Sequence, residues 1–365
     1  MDINQTKHIL EVASNFCIDE TIQEVFEITT GHINRTYHLI TGAPRSYILQ
    51  KINTVIFKDT AGLMNNISLV TKHLRTRLLS AGKNADREAL QLIPTKQGDI
   101  YLMLGDEAWR MYLTIENART YDRATSNDMF CEVGRAFGAF QRELADFDAS
   151  QLCETIPAFH DTVQRYAYFE EVVARDVVAR RAEVEAEITF FMERKKHAGF
   201  IVDGIREGRF PLRVTHNDTK LNNIMIDDET GKGVCILDLD TVMPGSVLAD
   251  FGDAIRFGAS TAAEDETDLS LVYMDIDKFS AFAKGFVGGL EGSLTENEVR
   301  ALPMGAYMMT LECGLRFLTD YLNGDTYFRI KHPTHNLDRA RNQMKLVEDM
   351  EAKMSQMNEI IESYL

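Results

Sequence analysis

One stretch of this chain, His216-Asn217-Asp218-Thr219-Lys220-Leu221-Asn222-Asn223, places a carboxylate two residues after a histidine and a carboxamide five residues after the carboxylate. A carboxylate at a loop tip can take a proton from a hydroxyl, and an amide oxygen suits a hard cation, which prefers oxygen ligands. Five residues are enough for the loop to fold back, so that Asp218 and Asn223 face one cluster. A second metal ligand has to come from a neighbouring strand. The apolar run 234–237 ends at Asp238, twenty residues after Asp218, which is the reach of a hairpin. A strand's period of two would put Asp238 and Asp240 on one side and Leu239 on the other. The two carboxylates then either share magnesium, or Asp240 serves the substrate. A lone His-x-Asp is ordinarily a turn or a helix cap. Combined with Asn at +5 and a hairpin returning an Asp, it fits magnesium-assisted phosphoryl transfer.

The chain also spells Asp250-Phe251-Gly252, the letters that carry magnesium in protein kinases. They follow the loop "TVMPGSVLA" rather than a β run, so Asp238 is the expected functional counterpart. Asp250 is expected to order the loop at 216–223 by accepting backbone N–H bonds at a helix start.

The elements that must hold these residues fall into two groups. Ile9, Leu10, Ala13 and Phe16 have helical spacing, which predicts a first helix covering a sheet. "EVFEIT", "TYHLIT" and "SYILQKI" read as an antiparallel meander with turns at "TGHINR" and "GAPR". Leu63, Ile67, Val70, Leu74 and Leu78 predict a helix over about 60–80, and "LQLIP", "IYLML" and "WRMYLTI" read as further strands. Beyond residue 117 the pattern is helical. Phe130, Val133, Phe137, Phe140, Leu144 and Phe147 form one stripe, and the charged stretch 163–197 predicts one long helix. The segments around 213–226 and 233–245 are β-rich and joined by the turn "DDETGKG". Val347, Met350, Met354, Met357 and Ile361 predict a last helix packed on the chain's own helices. The expectation is an α+β, bilobal protein-kinase-like fold: an N-terminal nucleotide-binding lobe at 1–117 and a catalytic and substrate-binding lobe at 118–365.

The length of 365 residues suits two such lobes. A net charge of −17 opposes non-specific attraction to nucleic acid or an anionic membrane. Five widely spaced cysteines without a C-x-x-C pair argue against a disulfide framework or a zinc cluster. "MDINQTKHILEVASNF" has no basic region leading into an apolar core, and no apolar run of membrane length occurs. A monomeric cytoplasmic protein without membrane or nucleic-acid partners is expected.

At the 216–223 loop and over nearly its whole length the chain resembles the aminoglycoside phosphotransferase and choline kinase family of small-molecule kinases. More narrowly, "GHINRTYHL", "FHDT", "HNDTKLNNIMID", "LDLDTVMPGSVLADFGDAIRFGAS" and "ECGLRFLTDYLNGDTYF" look like bacterial N-acetylhexosamine 1-kinases. The resemblance implies ATP and Mg2+, phosphorylation of the C1 hydroxyl of GlcNAc or GalNAc, Asp218 as base, and Asn223 and Asp238 on magnesium. Lys220 would neutralise the transferring group. His32, Asn34, Asp218, Arg316 and Tyr327 would form the sugar site. Without the resemblance, Arg316 reads as an interhelical salt-bridge residue and Tyr327 as core.

The N-terminal lobe departs from the kinase pattern. Gln50 stands where V-A-I-K has its lysine, Lys51 should point to the opposite face, and no acidic residue lies between Asp59 and Asp86 to partner such a lysine. Phosphate charge would then be met by magnesium, Lys220 and turn amides around Gly31. The segment "YLTIENA" (112–118), with Glu116, would offer the adenine contacts. Rival readings are a kinase for another small alcohol, such as an aminoglycoside, choline or homoserine, and a nucleotide-binding pseudokinase.

Overall fold

The computed structural model describes residues 2–29 and 33–365. It divides into two compact units, Met1–Thr120 with Ser150–Ile156 and Ile224–Met243, and Tyr121–Ala149 with Pro157–Asn223 and Pro244–Leu365.

In the first unit, helix α1 (Ile3–Ala13) starts at Asp2, whose carboxylate accepts the Gln5 N–H at 2.7 Å. Strands β1 (Ile22–Ile28), β2 (Arg35–Thr41) and β3 (Ser46–Ile52) are followed by α2 (Thr60–Ser80), the short α3 (Ala85–Glu88), β4 (Leu102–Leu104) and β5 (Glu107–Leu113). The sheet is antiparallel in the order β1-β2-β3-β5-β4. Strand alternation sorts its two faces. Tyr37, Leu39, Tyr47, Leu49, Trp109 and Met111 point into a core closed by Ile9, Val12, Ala13 and Phe16. Val12 rather than Leu10 completes the buried side of α1, because Leu10 faces solvent. All five apolar positions expected on α2 are buried. The run 90–94 is not a strand, yet Ile93 N–H donates to Met111 O at 2.8 Å and Leu113 N–H to Gln91 O at 3.0 Å. Pro94, lacking an N–H, stops the ladder there.

The same unit contains the expected hairpin, Ile224–Asp227 against Gly233–Ile236, with Ala118–Arg119 alongside. Its second strand ends earlier than the alternation argument requires. Asp238 is left-handed (φ 53°), and Leu239–Thr241 form one 3-10 turn. Asp238 and Asp240 are therefore not related by a strand's period of two. Asp is among the few non-glycine residues that tolerate this conformation.

The second unit is mainly helical: α4 (Asn127–Glu143), α5 (Thr162–Arg175), α6 (Glu185–Arg194), α7 (Phe200–Arg206), α8 (Val247–Gly258), α9 (Ile276–Leu290), α10 (Glu296–Leu322) and α11 (His335–Glu362). The single helix expected over 163–197 is instead α5 and α6. Asp176 closes α5 in a left-handed conformation (φ 40°), and its carboxylate accepts the Arg181 N–H at 3.0 Å. The β-branched pair Val177-Val178 follows, so helix propensity is low where the break falls. Helix α4 packs on α9, and α10 packs on both α8 and α11, which uses the methionine-rich seam of the last helix. The α8–α10 crossing needs glycine: a Cβ at Gly252 would lie 2.3 Å from the Gly305 carbonyl oxygen, and one at Gly305 would lie 2.6 Å from that of Leu248. This close approach seats α8, which carries Asp250 and Asp253. Among the described residues no helix is long and apolar enough to cross a membrane.

Candidate active site

The second unit supplies the loop at 216–223. Strand Arg213–Thr215 leads into Asn217, which is left-handed (φ 62°). That turn is held from below by Asp250 in the first turn of α8. Its carboxylate accepts the N–H groups of His216 at 2.9 Å and Asn217 at 2.7 Å, and the Gln141 amide at 2.6 Å. Burial pushes the Asp250 carboxyl up, against the His216 charge and these N–H bonds. The Thr219 N–H donates to Asp253 at 3.1 Å, and His216 packs edge-on against Phe137 and Phe140. Asp-Phe-Gly is thus structural throughout: Asp250 orders the loop, Phe251 packs on Phe279, Phe282 and Phe286, and Gly252 admits α10. Asp250→Asn keeps the size but halves the acceptors. We expect a loss of about 1–3 kcal/mol of unfolding free energy in urea, from a buried N–H left unpaired.

On this support the three expected residues of the loop converge. Lys220 Nζ lies 2.7 Å from one Asp218 oxygen, and the Asn223 amide nitrogen donates to the other at 3.0 Å and to the Asp218 carbonyl at 2.9 Å. Burial works against the Lys220 ammonium, but the charges of Asp218 and Asp253 outweigh it and hold its pKa above the usual lysine range. Asp253 is tied to Arg256 at 2.9 Å, and that guanidinium also reaches Glu264 at 2.7 Å. With its nitrogen engaged by Asp218, Asn223 is oriented to present its oxygen, the atom a hard cation uses.

In the first unit both oxygens of Asp240 are engaged by other side chains. One of its oxygens pairs with Arg110 of β5, and the other accepts the Asn34 amide at 2.6 Å. The Asn34 oxygen in turn accepts the Asn53 N–H at 3.0 Å, so both ends of Asn34 are used inside the unit. Arg110 is 1% exposed, and its Nε donates to Gln50 at 2.9 Å, its register partner on β3. Gln50 donates onward to Thr36 at 3.1 Å. Lys51 points to the other face and pairs with Glu107, as its alternation requires. Burial alone would push the Arg110 pKa down, but the charges of Asp240 and, less strongly, Asp238 reverse this. Arg110 is the residue that sequence reasoning missed. Its signal was a lone charge in the apolar run "AWRMYL", opposite a Gln where a lysine was sought.

The 112–118 segment is shaped by Arg87, which donates to the Asn117 carbonyl at 3.0 Å and pairs with Asp227. Asn117 is left-handed (φ 53°), and Glu116 accepts the Ser46 hydroxyl at 2.8 Å. Gly31 and His32 lie outside the described residues. In the second unit Arg316 lies over the rings of Phe159, Tyr327 and Phe328 and approaches the Tyr327 hydroxyl at 3.4 Å. It has no ion-pair partner among the described residues, and Tyr327 is 66% exposed. Neither the salt-bridge nor the core reading of this pair survives. Among the described residues no three His, Cys, Asp or Glu side chains are gathered as a protein-only metal site would need.

Solved structures with this fold include a choline kinase from Cryptosporidium parvum Iowa II (TM-score 0.59, 12% identity, covering 98% of this chain and 99% of that one). A spectinomycin phosphotransferase solved with ADP and spectinomycin aligns with TM-score 0.56 at 13% identity over 98% and 99% of the two chains. An amicoumacin kinase solved with AMP-PNP and Ca2+ gives 0.56 at 14% identity over 99% and 96%. The α+β, two-lobed kinase-like fold is therefore the fold of this chain. Residues 24–274 match the model of the phosphotransferase enzyme family, APH, and the chain belongs to that family.

Proposed function

We propose that this protein is an ATP-dependent kinase that phosphorylates the anomeric C1 hydroxyl of an N-acetylhexosamine, GlcNAc or GalNAc, by direct in-line transfer. The observation that carries the kinase reading is the Asp218 carboxylate, bonded by Lys220 and by the Asn223 amide on a loop fixed from below. Asp218 orients the acceptor hydroxyl and takes its proton. Lys220 keeps a positive charge beside it, where negative charge shifts during transfer. Asn223 and Asp238 are the magnesium ligands. One directly precedes and the other closely follows the hairpin whose last pair is Ile224 and Ile236. Two protein oxygens fit Mg2+, which fills the rest of its shell with phosphate and water and, when bound, offsets charge on the transferring group. Asp240, with both oxygens engaged, holds Arg110 in this reading and leaves the cation to Asp238.

Residues 1–117, with Gly31, Gln50 and Glu116, are assigned to the nucleotide, and residues 118–365 to catalysis and acceptor binding. His32, Asn34, Arg316 and Tyr327 are assigned to the sugar. Support for the sugar comes from the long motifs quoted above and from Arg316, which forms no ion pair among the described residues, beside an exposed tyrosine. Catalysis is then positioning and electrostatics, with no phosphoenzyme. A coupled ADP-release assay over N-acetylhexosamines, choline, homoserine and kanamycin tests the reading, with NMR locating the new phosphate. Phosphate at C6, or turnover confined to a non-sugar acceptor, would overturn it.

A further inference from the structure

The "FHDT" motif, Phe159 to Thr162, leads into α5. In the second unit His160 stands against α10, its Nδ1 2.8 Å from Glu312. The other Glu312 oxygen accepts the Thr162 hydroxyl at 2.5 Å, and Glu312 is 1% exposed. Burial pushes the Glu312 carboxyl up, but the charge of His160, its hydrogen bond and the Arg316 charge reverse this and keep it ionised. An ionised Glu312 can only accept, so His160 Nδ1 carries the proton donated to it. Nε2 is thereby presented for another partner. It is buried and has none among the described residues.

A second group with the same deficit sits on the next turn. Arg165 donates through Nη2 to the Phe159 carbonyl at 2.9 Å, while its Nε is buried without a partner. Arg316 lies over the Phe159 ring, and the two guanidiniums feel each other: burial and then the Arg316 charge hold the Arg165 pKa below the usual arginine range. The nearest carboxylates are committed elsewhere. Glu312 serves His160 and Thr162, and both Asp161 oxygens accept from Gln164 in capping α5. A buried guanidinium N–H and a buried imidazole nitrogen left unpaired cost stability, and a ligand that hydrogen-bonds both would remove that cost.

We propose that His160, held by Glu312, and Arg165 form an acceptor subsite beside Arg316 that takes an uncharged or acidic polyhydroxylated molecule and rejects an amine. The inference rests on the kinase reading above but not on the acceptor being an N-acetylhexosamine. His160 Nε2 takes a hydroxyl, the guanidiniums donate to acceptor oxygens, and an ammonium group meets the like charges of Arg165 and Arg316.

The test uses the full chain at pH 7 with ATP and Mg2+, measuring kcat/KM for GlcNAc, glucose, glucosamine, glucuronate, choline and kanamycin. Glucose should exceed glucosamine at least tenfold, since the two differ at one position by hydroxyl against amine. His160→Gln should raise the sugar KM at least tenfold with ATP KM within threefold of wild type, and Arg165→Gln should narrow the glucose-to-glucosamine ratio. An amine acceptor within threefold of the best uncharged one, or an unchanged sugar KM in a folded His160→Gln, would sink the proposal. Turnover of glucose or glucuronate without GlcNAc would overturn the N-acetylhexosamine assignment and leave this subsite standing. The acceptor panel needs no variant, so a substitution that fails to fold does not protect the idea. If no acceptor is turned over, calorimetric titration of the same panel decides it, tighter binding of an amine than of glucose being the adverse result.

Discussion

Asp218→Asn should lower kcat by about two to four orders of magnitude, the range for losing a positioned acid–base group, while ATP KM stays within about threefold. The substitution is nearly isosteric and changes only what the group can accept. Asp218 has one oxygen on Lys220 and the other on the Asn223 amide. An Asn in its place can still receive one of these donors but cannot take a hydroxyl proton. The backbone of the loop hangs on Asp250 and Asp253, neither of which is altered, so thermal unfolding should move little. Steady-state kinetics with both substrates varied, beside a melting curve, separate the outcomes. A kcat within threefold of wild type removes Asp218 from its role as base. A large drop with a collapsed melting temperature would mean that the residue holds the loop rather than the substrate.

How much of this was legible in the sequence depends on what each inference used. Local periodicity found the meander, α2 and the hairpin, because each buries a single face and repeats its apolar positions at the spacing of its element. The role of Asp250 was legible because an acidic residue in a helix's first turn, following a loop rich in backbone donors, has few other uses. Three features needed information that no window of sequence carries. The early end of the strand at Ile236 is set by the left-handed Asp238, and a residue's tolerance for that conformation does not require it to adopt it. The break at Asp176 is only hinted at by the Val177-Val178 pair within a charged stretch, and what stabilises it is a contact to Arg181. Arg110 and Asp240 are 130 residues apart in the chain, and each looked ordinary alone. A buried ion pair is a statement about two positions at once.

That pair yields the second large effect. Arg110→Met should destabilise the fold by about 3–5 kcal/mol, because Asp240, 3% exposed, would be left as a buried charge with only the Asn34 amide for a partner. Arg110→Met with Asp240→Leu should recover most of that loss, since replacing a buried pair by apolar groups of similar bulk is close to neutral. Turnover should not recover with it. The Arg110 charge is felt at Asp238 as well as at Asp240, and the guanidinium is also what fixes Gln50 on the neighbouring strand. The double variant therefore keeps the fold while removing both charges of the pair, and the anchor of Gln50, from the surroundings of a proposed magnesium ligand. Its Mg2+ requirement should differ from wild type at unchanged sugar KM, because the charges around Asp238 are rearranged. Urea unfolding and a Mg2+ titration of the rate, run on the single and double variants, separate structural from electrostatic roles. If the single variant loses less than about 1 kcal/mol, Arg110 is not holding a buried charge. If the double variant works at wild-type Mg2+, the pair supports the fold alone, and the N-terminal sheet contributes no charge to phosphoryl transfer.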